Sequence, residues 1–219
     1  MQNEKRSNDK RTVKPLAVVL AVSLLVICAV GGTLAWLTSS PDPITNTFTI
    51  GNVKIELDET DAEYKMVPGH TINKDPKVTV LKGSEDCWVF LEVGEVGVKD
   101  SESNTVYALS DFITYTIAKG WTPLTEGSKV YYREVKNITE NQEFLVLGGG
   151  TYSDGDVTYK WKDNQVLTLP TVTKEMADFL QDNNLKPQLK FTAHAIQYWK
   201  NNTEAFTPAE AWELAKSGT

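Results

Sequence analysis

The chain has 219 residues, of which 41% are apolar, and its 22 basic and 29 acidic side chains give a formal net charge of −7. This length allows one sizeable domain, or two small ones, with a proper hydrophobic core. An acidic chain without a basic stripe is unsuited to the phosphate backbone, so nucleic acid is not an expected partner.

The N-terminus has the organisation of a secretory signal. A basic head over residues 1–14 precedes an apolar run over residues 16–30, and small residues follow it. This order predicts an export signal, residues 1–35, that is cleaved between Ala35 and Trp36. An uncleaved membrane anchor is the alternative, because the apolar span approaches the roughly 20 residues that cross a bilayer.

Cleavage after Ala35 would remove five basic and two acidic side chains and leave 184 residues with a net charge of −10. Of the two cysteines, Cys28 would leave with the signal, so Cys87 could form no internal disulfide. An exported domain without disulfides must be held together by its core. Since Cys87 stands beside Trp88 in an apolar run, we expect a buried structural thiol.

Beyond the signal, the chain has the pattern of strands. Apolar residues alternate with period 2 up to Ile50 and again from Val53, but in opposite parity, which predicts one strand with a bulge at Gly51. Further strands are predicted over residues 77–81, 87–96, 112–117, 130–135, 143–147, 157–161 and 188–199. Turn residues separate these runs, so we expect an all-β fold, an antiparallel jelly-roll-like sandwich.

Two short peripheral helices are expected. Residues 173–183 place apolar side chains on one face, with Thr173 as the N-cap. Near the end, Thr207 begins a capping box with Pro208 at the first helical position, which predicts a helix near 208–216. We expect the space between the two sheets to contain Cys87, Trp88, Phe90, Ile113, Phe191 and Ile196.

The sequence shows no catalytic motif. Its two histidines, His70 and His194, lie far apart and outside any HExxH arrangement, and no G-x-S-x-G, phosphate loop or C-x-x-C occurs. The glycines at 148–150 are interpreted as a hairpin loop. No enzymatic activity, cofactor or metal is expected, and we interpret His194 as a structural residue in a strand and His70 as a solvated turn residue.

Two acidic clusters have spacings that calcium sites use. They cover residues 58–61 and 154–156, both in expected turns. Neither supplies a full set of ligands, and aspartate is in any case a good turn former. A calcium site is therefore the lesser interpretation.

Six short stretches, taken in order, point to a family. The stretches are GGTLAWLT (31–38), FTIGNVKI (48–55), PGHTINKD (68–75), GSEDCWV (83–89) and AIQY with AEAW (195–198 and 209–212). They resemble, in turn, the export signal, first strand, P-G-x-x-x-x-K-[DE] turn, G-S-x-D-[AC]-[WY]-[VL] strand start and closing strand and helix of the TasA and camelysin (CalY) family. The resemblance is thin across residues 97–185.

That resemblance implies a jelly-roll domain over residues 47–219, exported by a Gram-positive type of cell into a biofilm matrix or surface fibre. A dedicated SipW-type signal peptidase would be a partner during export, and the membrane would be one only before cleavage. In such fibres the extended N-terminus, here residues 36–46, completes the sheet of a neighbouring copy. The implied donor residues are Trp36, Leu37, Thr38, Ser39 and Ser40.

One departure from that pattern bears on strand donation. Pro41 and Pro43 lack the backbone N–H that a ladder needs, so either the donor ends at Ser40 or this chain does not polymerise in this way. Two other functions stay open: a camelysin-like secreted metallopeptidase, and a monomeric surface-binding module. The second would use exposed aromatic side chains such as Trp121 or Trp161 as a ligand platform.

Overall fold

The computed structural model describes residues 38–39, 47–50, 52–60, 64–99 and 106–217. Its strands are β1 (Thr38–Ser39), β2 (Thr47–Ile50), β3 (Ile55–Asp58), β4 (Tyr64–Lys65), β5 (Thr71–Asn73), β6 (Lys77–Val80), β7 (Cys87–Val96), β8 (Val98–Lys99), β9 (Val106–Tyr107), β10 (Ile113–Thr114), β11 (Thr116–Ile117), β12 (Thr122–Pro123), β13 (Val130–Val135), β14 (Gln142–Leu145), β15 (Leu147–Gly148), β16 (Gly150–Asp154), β17 (Val157–Trp161), β18 (Gln165–Thr168) and β19 (Gln188–Gln197). Its α-helices are α1 (Lys174–Asp182) and α2 (Pro208–Ser217). None of the helices in these ranges is long and apolar enough to span a membrane.

The largest sheet has five strands in the order β12–β13–β7–β19–β2. Its centre is an antiparallel ladder of ten residue pairs between β7 and β19, from Val96 opposite Gln188 to Cys87 opposite Gln197. The edge strand β2 is parallel to β19, with Phe48 opposite His194. Strand β2 therefore pairs with β19, the last strand in the described part of the chain.

Two three-stranded sheets, β14–β6–β3 and β10–β18–β5, and four two-stranded ladders complete the fold. The main core joins apolar side chains of the large sheet with those of the smaller sheets, among them Val78, Val80 and Val166. An all-β sandwich with two short helices is thus confirmed. Both helices begin as predicted: Thr173 Oγ1 accepts from the Met176 N–H, and Thr207 and Glu210 form a reciprocal capping box.

The six residues predicted for the core are all buried, but only half of them lie between sheets. Cys87, Ile113 and Phe191 belong to the main core. Trp88, Phe90 and Ile196 lie on the opposite face of the large sheet, in a second cluster with Ala211 and Ala215 of α2. The prediction was wrong for these three because alternation along a strand separates two faces without revealing that a helix covers the second one.

The change of parity near Gly51 is a change of sheet. β2 lies in the five-stranded sheet and β3 in the β14–β6–β3 sheet, so a single strand with a bulge is wrong. Gly51 itself lies outside the described residues. After the crossover, Val53, Ile55 and Leu57 are buried in the main core, which explains why their alternation is independent of the preceding strand.

The glycine run at 148–150 is not a hairpin loop. Gly148 ends β15 and Gly150 begins β16, while the tight turn of this hairpin lies between β16 and β17, with Gly155 at φ +55°. A side chain at position 150 would collide with the Trp161 indole. Here glycine permits a close approach of the backbone to an aromatic ring, a use that sequence alone does not distinguish from a turn.

Phe191→Ala should lower the free energy of unfolding by about 3–5 kcal/mol, because Phe191 is 5% exposed and its loss leaves a cavity in the main core. Denaturant titration followed by tryptophan fluorescence measures this. Val157→Ala is the matched control: Val157 is 52% exposed, so its removal should change stability by less than about 0.5 kcal/mol. An unchanged unfolding midpoint for Phe191→Ala would contradict the assignment of the core.

Candidate functional site

The predicted donor segment is described at two of its residues. Thr38–Ser39 form β1, which pairs antiparallel with β4, Thr38 opposite Lys65 and Ser39 opposite Tyr64. Ala35, Trp36, Leu37 and Ser40 lie outside the described residues, and so does the predicted cleavage point. The pairing makes β4 the acceptor for this segment within the chain.

A buried ion pair joins Glu59, which precedes the acceptor strand β4 in the chain, to Lys74, which follows it. Lys74 Nζ is 2.6 Å from Glu59 Oε1, and the two side chains are only 4% and 12% exposed. Burial lowers the pKa of the Lys74 ammonium, while the neighbouring Glu59 carboxylate opposes that shift. The Lys74 backbone N–H also donates to the Asn164 carbonyl at 2.9 Å, so both the backbone and the side chain of this lysine are fixed.

Asp75, the residue after Lys74, binds Thr60, the residue after Glu59. Its carboxylate accepts from the Thr60 backbone N–H at 3.0 Å and from the Thr60 hydroxyl at 2.6 Å. The hydrogen bond from the Thr60 hydroxyl lowers the pKa of Asp75. The lysine and acid of the P-G-x-x-x-x-K-[DE] turn are therefore structural: they fix the residues that precede β4, and Met66, buried directly after β4, fixes the other side.

The G-S-x-D stretch at residues 83–86 anchors the crossover between β2 and β3. Ser84 Oγ accepts from the Lys54 N–H at 3.0 Å and donates to the Leu81 carbonyl at 2.7 Å. The Glu85 N–H donates to the Asn52 carbonyl at 3.1 Å. The G-S-x-D stretch thus holds the chain where it leaves the large sheet, and the two motifs together position the N-terminal strands.

The two histidines have separate environments. His70 is exposed in the turn after Pro68, with Nδ1 at 3.0 Å from the Pro68 carbonyl. His194 is 4% exposed in β19, beneath α2, where its ring meets Trp212 edge-on at 5.2 Å and Nε2 lies 3.4 Å from Glu92 Oε2. Burial lowers the pKa of His194, with Glu92 opposing the shift.

The acidic clusters gain no further ligands from the fold. Within the part of the chain that the structure describes, no group of three or more histidine, cysteine or acidic side chains is arranged to hold a metal ion. Glu59 of the first cluster is paired with Lys74, and Asp61 lies outside the described residues. In the second cluster, Asp154 ends β16 opposite Val157, and Gly155 and Asp156 form the turn between β16 and β17.

The tryptophans suggested as an exposed platform are core residues. Trp121 and Trp161 are 8% and 6% exposed, and their indole N–H groups donate to the Leu145 and Gly148 carbonyls. The exposed tryptophan in the described ranges is Trp199, at 44%. Its position between Tyr198 and a polar run was the available signal, although the pattern over residues 188–199 predicts only the end of a strand there.

Cys87 is the buried structural thiol that the sequence predicts. It is fully buried at the start of β7 and is not in a disulfide. Burial raises the pKa of its thiol to about 12, with a smaller contribution from Asp86. The thiolate that reacts with oxidants or metals is therefore suppressed at neutral pH.

Comparison of the chain with protein-family models, curated proteins and solved structures gives no match. Kinship with the TasA and camelysin family stays a prediction that depends on the order of the motifs. The roles of Lys74, Asp75 and Ser84 are independent of that kinship, since they follow from contacts within this chain.

Lys74→Ala should lower the free energy of unfolding by about 3–5 kcal/mol, because it leaves the Glu59 carboxylate buried without its cation. The double variant Lys74→Met, Glu59→Leu should recover much of that loss, since it removes both charges and keeps the volume. Lys77→Ala is the matched control: its pair with Glu143 is 34% and 58% exposed, so the change should cost less than about 1 kcal/mol. Equal losses for the two alanine variants would contradict the buried pair.

Proposed function

We propose that this chain is an exported structural subunit that assembles into matrix or cell-surface fibres by donating its N-terminal strand to a neighbouring copy. The observation that supports this proposal is the antiparallel pairing of β1 with β4. In a fibre, the same pairing would form between copies, with β1 of one subunit on β4 of the next. Exchange of an identical element between copies needs no new surface.

The pairing within one chain is weak enough to be exchanged. It consists of two residue pairs, and each hydrogen bond contributes only about 0.5–1.5 kcal/mol net. The acceptor strand, by contrast, is flanked by the Lys74–Glu59 ion pair and by buried Met66. These contacts on either side of β4 do not involve β1, so they would persist when the donor is replaced.

The length of chain behind the donor suits such an exchange. Seven residues, 40–46, separate β1 from β2, and a fully extended segment of that length spans at most about 25 Å. Pro41 and Pro43 fall in this segment, after the last paired residue, Ser39. The described pairing thus lies before the prolines, which supports a donor that ends by Ser40 over the alternative that the prolines prevent strand donation.

Cleavage would convert the precursor into a donor. Before cleavage, Trp36 is continuous with the apolar signal, so this end cannot reach a neighbour. Afterwards Trp36 and Leu37 would form a free apolar end, and two large side chains seated in a groove contribute roughly 1.5–3 kcal/mol each. This gain is smaller than the entropic cost of association, so the backbone ladder and repetition along a fibre must provide the remaining free energy of binding between copies.

Ala35→Leu should block cleavage, because signal peptidases accept only small side chains at this position. The measurement is N-terminal sequencing of protein released from expressing cells, beside a blot for protein retained in the membrane. Ala35→Ser, which keeps the side chain small, is the control and should be cleaved normally. Released protein that begins at a residue other than Trp36 would overturn this cleavage point.

Deletion of residues 36–43 should leave a folded protein that no longer forms fibres, as judged by electron microscopy of the released protein beside the intact form. A pair of double variants tests the strand without shortening the chain. Adjacent residues of a strand point their N–H groups to opposite edges, so Thr38→Pro with Ser39→Pro removes the ladder donor whichever residue supplies it, whereas Thr38→Val with Ser39→Val keeps it and favours a strand. Only the proline pair should abolish assembly. Fibres of normal appearance from the deleted protein would place self-association on another face.

Cysteine pairs distinguish exchange between copies from pairing within a chain. Opposed residues in an antiparallel ladder lie about 4.5–5.5 Å apart at Cα, a separation that a disulfide can bridge. A mixture of Ser39→Cys and Tyr64→Cys proteins, oxidised after assembly, should therefore yield a crosslinked species with one copy of each. The native Cys87 is buried and does not compete. A single chain that carries both Ser39→Cys and Tyr64→Cys is the comparison. A disulfide that forms only in that chain, and only within a monomer, would show pairing within the chain and overturn exchange between copies.

A further inference from the structure

A polar cleft lies at the end of β19, on the side of the G-S-x-D turn. It encloses about 620 Å³, within the roughly 300–1,000 Å³ typical of small-molecule sites. Its lining includes Glu85, Asp86, Gln197, Trp199, Lys200 and Asn202. The cleft thus presents one large aromatic ring, that of Trp199, among carboxylate and amide groups.

The Trp199 ring is presented in a fixed position. It is 44% exposed, its ring meets the Tyr198 ring edge-on at 5.0 Å between centroids, and the Tyr198 ring in turn lies 5.2 Å from that of buried Trp88. The backbone of Trp199 forms a bridge with Ala205. An exposed tryptophan whose ring already packs against a neighbouring ring loses little conformational entropy when a ligand covers it.

The loop that closes the cleft is ordered by its own polar contacts. Asn201 Oδ1 accepts from the Thr203 N–H, the Thr203 hydroxyl and the Glu204 N–H, all at 2.9–3.0 Å. Lys200 Nζ is paired with Glu204 at 3.1 Å and with Glu210 of α2 at 2.8 Å. The loop geometry is therefore set before any ligand arrives.

Other polar groups of the cleft retain hydrogen-bonding capacity. Gln197 donates through Nε2 to the Trp199 carbonyl at 3.0 Å, which leaves its amide oxygen as an acceptor. Asp86 uses Oδ1 to accept from the Asn137 N–H, and Oδ2 is not engaged by that bond. The side chains of Glu85 and Asn202 make no hydrogen bond or ion pair with the described residues.

We propose that this cleft binds a saccharide chain, with one pyranose ring stacked on Trp199 and its hydroxyl groups hydrogen-bonded to Glu85, Asp86, Gln197 and Asn202. A pyranose presents an apolar face of C–H groups surrounded by hydroxyls, which matches an aromatic ring surrounded by carboxylate and amide groups. The site does not depend on strand donation: it concerns what the folded subunit holds, whether or not it polymerises.

The composition of the cleft disfavours other occupants. Phosphate groups would meet the carboxylates of Glu85 and Asp86, so a nucleic-acid strand is unsuited. A cationic peptide could stack on Trp199 and pair with Glu85 or Asp86, because the Lys200 ammonium is already paired with Glu204 and Glu210, so a cationic peptide is the competing occupant that the test includes. An apolar partner would leave the polar lining without hydrogen bonds. A neutral, hydroxyl-rich ligand satisfies both the ring and the polar groups.

The test uses the full chain, purified in a detergent without a sugar head group, and two probes: the tetramer of β-1,4-linked N-acetylglucosamine and the tetramer of β-1,4-linked glucose. Saturation-transfer NMR should show contact to the C–H face of one sugar ring, and calorimetry gives the affinity. Trp199→Ala should weaken binding by about tenfold or more. Trp199→Tyr, which keeps an aromatic ring, should recover part of that loss.

Val157→Ala removes an exposed apolar side chain from the β16–β17 hairpin, outside the residues that line this cleft, and should bind both probes as the unaltered chain does. Far-UV circular dichroism of each variant checks that the fold persists. The proposal is overturned if neither tetrasaccharide binds at millimolar concentration, if Trp199→Ala binds equally well, or if only a tetra-arginine peptide, run in parallel, binds. None of these outcomes depends on fibre formation, so failure here and failure of strand donation are distinguishable.

Discussion

The fold depends on the ladder of ten residue pairs between β7 and β19. Where this ladder is buried, its backbone N–H and C=O groups pair with each other, and apolar side chains pack on both of its faces. On one face Val89 and Leu91 enter the core between the sheets, and on the other Trp88 and Phe90 lie under α2. The two clusters thus share one pair of strands, and a chain without disulfides in its described part is held together across them.

The central position of β19 also determines where the N-terminus lies. With β7 on one edge of β19, the other edge accepts β2 in a parallel orientation, and β2 becomes the last strand of the sheet. The chain must then cross to the opposite sheet, and hydrogen bonds from Lys54 to Ser84 and from Glu85 to Asn52 fix that crossover. Short edge strands near a terminus are the elements that open most easily, which is the property that strand exchange requires.

Much of the fold could be predicted because its longer strands are runs of apolar, aromatic and β-branched residues separated by turn residues. The bounds of β7, β13 and β17 coincide with such runs, and both helices are marked by their caps. Alternation could not reveal that Trp88 and Phe90 lie beneath a helix, since period 2 separates faces without identifying what covers each one. Two-residue strands such as β11 carry too few residues for a pattern to form. The Lys74–Glu59 pair joins residues 15 apart through the fold, so no local motif could indicate it.

The G-S-x-D turn contributes to both proposed activities, but through different groups. Its backbone and serine hold the crossover at Asn52 and Lys54, while Glu85 and Asp86 line the cleft beside Trp199. Exchange of β1 requires movement only in the segment before β2, because the crossover that follows β2 is fixed by this turn. The cleft would then keep its geometry in a polymer, so a fibre of such subunits would present one saccharide site per copy. Repetition of weak sites along a fibre raises the avidity for a long polysaccharide far above the affinity of a single cleft.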